Sequence, residues 1–169
     1  LITSIDTTIG GSDEITTGLG TDVLIGGADD DEISSNRLET LGEPDGSAIV
    51  FGDNGFVDYV SLDGDATDID RIWVLDPDTG GSDTIVTGAG DDIVVGGVDG
   101  ELVTAVPGLG LADVTVVQVV AAHGDDGDTI LAGGGRNLVF GDNGRITSAI
   151  ADTTTFGTLA LSLGLVESI

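Results

Sequence analysis

The chain has no cysteine, no methionine and no lysine, and it has only one histidine, three prolines and four arginines. Without cysteine there is neither a disulfide framework nor a thiolate metal site, and thiol usage says nothing about redox compartment. Four cations face 31 acidic residues, for a formal net charge of −27. A chain of that sign repels phosphate backbones and anionic bilayers, which argues against nucleic-acid binding. No apolar run is long enough to insert in a membrane. The sequence opens on Leu1-Ile2-Thr3 with neither a leader nor an initiating Met, and it reads as a piece of something longer.

What is abundant is glycine, at 29 residues, together with 40% hydrophobic residues that are mostly Ile, Val and Leu. The glycines follow no three-residue period, so they mark tight turns rather than a collagen helix. The apolar content is too high for a disordered acidic tail, and β-branched residues favour strands. So many carboxylates side by side need counter-ions, and a hard cation such as calcium is the natural partner for carboxylate and carbonyl oxygens.

The order of these residues is periodic. From Thr8 to Ser34 the chain reads as three nine-residue units, TIGGSDEIT, TGLGTDVLI and GGADDDEIS, with Asp at the sixth place and a branched apolar residue at the eighth. Three further units run from Asp78 to Thr104, and two more, HGDDGDTIL and AGGGRNLVF, begin at His123. Asp13, Asp22 and Asp31 recur 70 residues later as Asp83, Asp92 and Glu101. A second landmark repeats as AIVFGDNGFV (48–57) and NLVFGDNGRI (137–146), each followed by a segment with the pattern of a hairpin, at 56–75 and 145–169. These hairpins, which with the adjoining VFGDNG runs hold nearly all the aromatic residues, are expected to cap or dock the ends of the repeat array. The chain is thus divided into a first block, 1–75, and a second, 76–169, with an insertion at 105–122 whose Val-Thr-Val-Val run favours strand over helix.

The spacing has a physical logic. Two units, each a glycine-rich turn followed by a short strand, make one coil, and coils stack at about 4.8 Å. Unit n then lies beside unit n + 2. Eighth-place residues stack into an apolar ladder, while sixth-place carboxylates and turn carbonyls face one another between coils.

The units resemble the GGxGxDxUx nonapeptides of RTX (haemolysin-type) calcium-binding proteins. That resemblance implies an all-β fold, a parallel β-roll or β-solenoid interrupted by hairpins, with Ca2+ as its cofactor. Carried over position by position, it nominates Asp13, Asp22, Asp31, Asp83, Asp92, Glu101 and Asp128 at the sixth place, and Asp29, Asp99 and Asp126 where Asp replaces the fourth-place Gly. The clearest pairs are Asp13 with Asp31 and Asp83 with Glu101. With the insertions looped out, Asp92 falls beside Asp128, and Asp22 falls beside Ala48, which has no carboxylate. Neutral Asn137 and the longer Glu101 imply fewer ions than a perfect array holds. The GDNG residues Asp53, Asn54, Asp142 and Asn143 are open between turn formers and ion ligands.

Catalytic readings are weaker. Every carboxylate pair follows the repeat, His123 sits at the first place of a unit, no G-x-S-x-G elbow surrounds Ser12 or Ser82, and Gly133–Arg136 lacks a Walker lysine. Asp63–Asp70, DGDATDID, resembles the start of an EF-hand loop but lacks the sixth-place glycine, and it is set aside. Threonines 7, 8, 16 and 17 hint at an ice- or carbohydrate-binding array that the region around Asp91 does not sustain. The expectation is a non-enzymatic, calcium-stabilised segment of a large secreted or cell-surface bacterial protein, extracellular, joined end to end with other copies or repeats of itself into a rod, filament or adhesin stalk. The alternative is an accessory module that assists secretion and folding of an attached enzyme or toxin.

Overall fold

The structure is a computed structural model that describes residues 1–35, 46–98, 102–103, 127–150 and 154–169. Among these there are only strands and turns: β1 (Ile2–Thr3), β2 (Glu14–Thr16), β3 (Val23–Ile25), β4 (Glu32–Ser34), β5 (Ile49–Phe51), β6 (Gly55–Asp58) and β7 (Arg71–Val74). The second half continues with β8 (Thr84–Val86), β9 (Ile93–Val95), β10 (Leu102–Val103), β11 (Thr129–Leu131), β12 (Leu138–Phe140), β13 (Gly144–Ser148) and β14 (Leu163–Ser168). The protein is all-β. No described element is a helix able to cross a membrane.

Two of the three sheets are parallel, and residue pattern separates them. In the outer sheet, ordered β10-β11-β8-β4-β2, the nonapeptide strands from β2 to β11 present their middle residue inward in register, so EIS, TIV and TIL bury Ile33, Ile85 and Ile130, and EIT half-buries Ile15 at the end of the sheet. In the central sheet, β12-β9-β5-β3, the strands VLI, IVF, IVV and LVF are apolar throughout because both faces are covered. One face places Leu24, Val50, Val94 and Val139 against the outer-sheet isoleucines in a single core. These are the eighth-place residues, with Val50 filling the place in the GDNG-linked strand. Each fully buried Ile or Val contributes about 1.5–3 kcal/mol, so the ladder is a main source of cohesion.

The other face of the central sheet, including Ile49, Phe51, Ile93, Val95, Leu138 and Phe140, forms a second core with Val57, Ile72, Val74 and Ile146. Those last four belong to an antiparallel sheet ordered β1-β6-β7-β13-β14. Both expected hairpin segments contribute to it: β6 pairs with β7, and β13 pairs with β14. They do not cap the array ends, however. The seventh and ninth places of the central strands are apolar and need cover along their whole length, so the hairpins lie over them as a third layer. All three sheets take strands from both sides of the 75/76 boundary.

The strand order departs from simple alternation at one place. β10 and β11 both lie in the outer sheet, and β11 is inserted between β8 and β10. The neighbour of Asp83 is therefore Asp128 rather than Glu101, and the neighbour of Asp92 is Asn137 rather than Asp128. The triplets explain this: TIL after Asp128 opens on a polar Thr, as TIV does in the outer sheet, whereas LVF after Asn137 is apolar throughout and suits a strand buried on both faces.

Candidate metal centre

Two rows of turns connect the parallel sheets. One row leads into the outer sheet and contains Asp13, Asp31, Asp83 and Asp128, one after another along the stack. The carboxylates of Asp31, Asp83 and Asp128 each reach back to the preceding turn of the row. The Asp13 N–H donates to Asp31 Oδ1, the Asp31 N–H to Asp83 Oδ1, and the Asp83 N–H to Asp128 Oδ1, all at 2.8 Å. Asp13 is exposed at the end of the row, while Asp31, Asp83 and Asp128 are 4%, 1% and 0% exposed. One oxygen of each buried carboxylate is thereby used. The second oxygens of Asp31 and Asp83 are buried and accept no hydrogen bond.

Buried polar atoms of this kind are costly unless something meets them. Burial pushes the Asp31 carboxyl above its ordinary range, opposed by the Asp13 N–H and reinforced by the charges of Asp13, Asp29 and Asp30. Asp83 is pushed up to about 9, first by burial, against the hydrogen bond from Asp31, and then by the charges of Asp128, Asp53 and Asp31. Asp58 in the hairpin sheet is the counter-example. It sits at about 2, held down by the Ser61 hydroxyl and then by the Arg71 guanidinium at 2.6 Å, despite its own desolvation.

The described arginines are committed elsewhere: Arg71 to Asp58, Arg136 to Asp91, and Arg145 to Glu167. No arginine among the described residues neutralises the row.

The geometry around the unused oxygens fits a hard cation. At Gly52 the space that a Cβ would fill is bounded by Asp83 Oδ2 and the Gly96 carbonyl oxygen. Gly26 repeats this with Asp31 Oδ2 and the Gly52 carbonyl, and Gly96 with Asp128 Oδ2 and the Gly141 carbonyl. Carboxylate and carbonyl oxygens at each coil are the donor types calcium takes. Glycine is needed because any side chain here would strike both oxygens. Asp29, with φ 74, and Asp30 are exposed in the turn before Asp31, and Asp30 Oδ1 accepts the Ser82 N–H at 2.9 Å.

The second row of turns leads into the central sheet and contains Asp22, Ala48, Asp92 and Asn137. The Ala48 N–H donates to Asp92 Oδ1 at 2.8 Å and the Asp92 N–H to Asn137 Oδ1 at 2.9 Å. Asn137 Nδ2 donates to the Gly133 carbonyl at 3.0 Å. Asp22 lies beside Ala48, as its spacing indicates, since the Ile49 N–H donates to the Asp22 carbonyl. Arg136 clasps Asp91 with Nε at 3.0 Å and Nη2 at 2.7 Å. The C-terminal segment covers this row: Ser47 and Thr158 exchange two hydrogen bonds of 2.9 and 3.1 Å.

Of the nominated residues, the structure thus gathers Asp13, Asp31, Asp83 and Asp128, with Asp29 in a turn of the same row, and puts Asp22 and Asp92 on the other. Asp99, Glu101 and Asp126 lie outside the described residues, as do His123 and the 105–122 insertion. The GDNG positions divide. Asn54 and Asn143 are turn formers whose amides donate to the carbonyls of Thr7 and Pro77, at 3.2 and 3.1 Å. Asp53 belongs with the acidic row: its carboxylate accepts the Gly81 N–H at 2.8 Å and the Val98 N–H at 2.6 Å. Sequence spacing alone does not nominate Asp53, because the hairpin interrupts the nonapeptide count just after it. The chain matches no family model, no curated protein and no solved structure.

Proposed function

We propose that this chain is a calcium-stabilised, non-enzymatic structural segment of the RTX β-roll type, in which the two parallel sheets are the two walls of one solenoid. The observation that carries the reading is the row of buried sixth-place carboxylates, with second oxygens on Asp31 and Asp83 that accept no hydrogen bond. Calcium would be held by Asp31, Asp83 and Asp128 together with the carbonyls of Gly52, Gly96 and Gly141. When bound it supplies the positive charge that lets adjacent coils approach. Modules of this acidity bind in the range of about 10⁻⁴ to 10⁻³ M, which suits an extracellular or cell-surface location where calcium is plentiful and keeps the chain loose before export.

The same reading places the segment in an extended array. β1, β7 and β14 are equivalent strands. Ile2 faces Val57 as Ile72 faces Ile146, and Ile72 faces Val57 as Val166 faces Ile146. The outer edge of β14 therefore stands to a following GDNG strand as β1 stands to β6. Such head-to-tail joining does not close on itself and makes rods or fibres.

The deciding experiment is circular dichroism and calorimetry on the chain after exhaustive chelation and again with calcium added. Gain of strand signal and binding heat supports the reading. A compact, strand-rich chelated protein that does not respond to calcium overturns it. Negative-stain microscopy in calcium tests the array, for which elongated particles are expected and uniformly compact monomers count against it.

A further inference from the structure

The loop joining β6 to β7 holds four carboxylates that belong to neither row, and three of them cluster. Oxygens of Asp63, Asp68 and Asp70 all lie within 4.8 Å of one another. Two oxygens bound to one calcium at about 2.4 Å are at most about 4.8 Å apart, so this cluster has the span of one coordination sphere.

The cluster is more than a surface accumulation of charge. Asp70 is 0% exposed, at the base of the loop. Its Oδ2 accepts the Leu62 N–H at 2.7 Å, but its Oδ1 is buried and has no hydrogen-bond partner. Asp68 Oδ1 is in the same condition. The adjacent cation, Arg71, is turned to Asp58 and Ser61. The backbone under the site is fixed: the Asp70 N–H donates to the Asp58 carbonyl at 2.8 Å, the Ser148 N–H to the Asp70 carbonyl at 2.9 Å, and the Ile69 N–H to the Ala160 carbonyl at 2.7 Å. The positions used differ from those of an EF-hand start. Asp65 turns back on its own loop to accept the Thr67 N–H and hydroxyl at 3.0 and 2.8 Å.

We propose that Asp63, Asp68 and Asp70 bind one hard divalent cation of calcium size, independently of the turn rows. The ion closes the exposed 62–68 loop onto a base anchored to β13 and to the 156–161 segment, and so fastens the hairpin layer where the two blocks meet.

The test is calcium stoichiometry by equilibrium dialysis with the full chain, comparing wild type, D63N/D68N and D83N. Asp63 is exposed and Asp68 half-buried, so the double substitution leaves buried Asp70 and the cores intact. D63N/D68N is expected to bind one ion fewer than wild type. The calcium-dependent shift of the Gly64 amide in NMR spectra is expected to vanish in D63N/D68N and persist in D83N. Unchanged stoichiometry in D63N/D68N, or a Gly64 shift that survives it, overturns the site. If D83N binds as many ions as wild type while D63N/D68N loses one, the turn-row reading fails and the loop site stands.

Discussion

The two rows of turns are built from the same nine-residue unit and differ in how much charge they carry. The row entering the outer sheet has Asp at four successive sixth places. The row entering the central sheet alternates Asp22, Ala48, Asp92 and Asn137, pairs Asp91 with Arg136, and is covered by Thr158. Both carry a ladder of backbone N–H to side-chain oxygen, interrupted in the second row at Ala48, which has no side-chain oxygen. The ladder therefore needs only an oxygen acceptor. Charge at the sixth place is an added feature, retained on one side and diluted on the other.

Several perturbations sharpen or break this contrast. Calcium removal has the largest expected effect. At a concentration a hundredfold above its dissociation constant, each ion contributes about 2.7 kcal/mol, so a chelated chain should lose part of its strand signal and melt at a lower temperature, with exchange protection failing first in the outer-sheet turns. Equal loss on both rows in hydrogen exchange would erase the distinction.

Gly52→Ala comes next. Its Cβ lands on the Asp83 carboxylate and the Gly96 backbone, so it should cost about 3 kcal/mol and weaken calcium binding, measured by thermal melts with and without the ion. Gly18→Ala, in the other row, meets no atom and should be far milder.

Asp83→Asn brings the acidic row closer to the more weakly charged one. Asn keeps an oxygen for the Asp31 N–H and gains a donor, as Asn137 does. The variant should melt higher than wild type in chelator and lower in calcium, having lost about 2.7 kcal/mol from one ion. A drop in both conditions would mean that Asp83 serves packing alone.

The pH response follows from the same carboxyl. Asp83 titrates at about 9 in the fold against an ordinary 3.8, so the folded state holds the proton more tightly. Calcium-free stability should be greatest at acid pH and fall as pH rises across that interval. Melts in chelator should be several degrees higher at pH 5 than at pH 8, and calcium should remove or invert the trend. The smallest effect is expected for Arg136→Gln, whose half-exposed pair with Asp91 is worth about 1 kcal/mol or less.

Much of the outer architecture was legible in the sequence because it depends on period alone. Eighth-place Ile, Leu and Val form the inner core, Asp13 meets Asp31, and Asp22 meets Ala48. What period cannot supply is the path of the chain through an insertion. The order β8-β11-β10 is set by which triplet opens on a polar residue, Thr129 in TIL against Leu138 in LVF, a signal weaker than the repeat count. The third layer was hidden for a related reason: apolar seventh and ninth places read as generic strand content until both faces of the central sheet are seen to need cover. Asp53 and the Asp63, Asp68 and Asp70 cluster were obscured because loop closure brings together residues that follow no fixed interval.

The carboxylate ladder also has a sense. Asp31, Asp83 and Asp128 each serve the amide of the turn before, so Asp13 presents an acceptor at one end of the acidic row and the donors point toward the other. A row that continues this way has unlike ends. Copies joining it must all face the same direction, and an array built on it is polar, able to extend by different chemistry at its two tips.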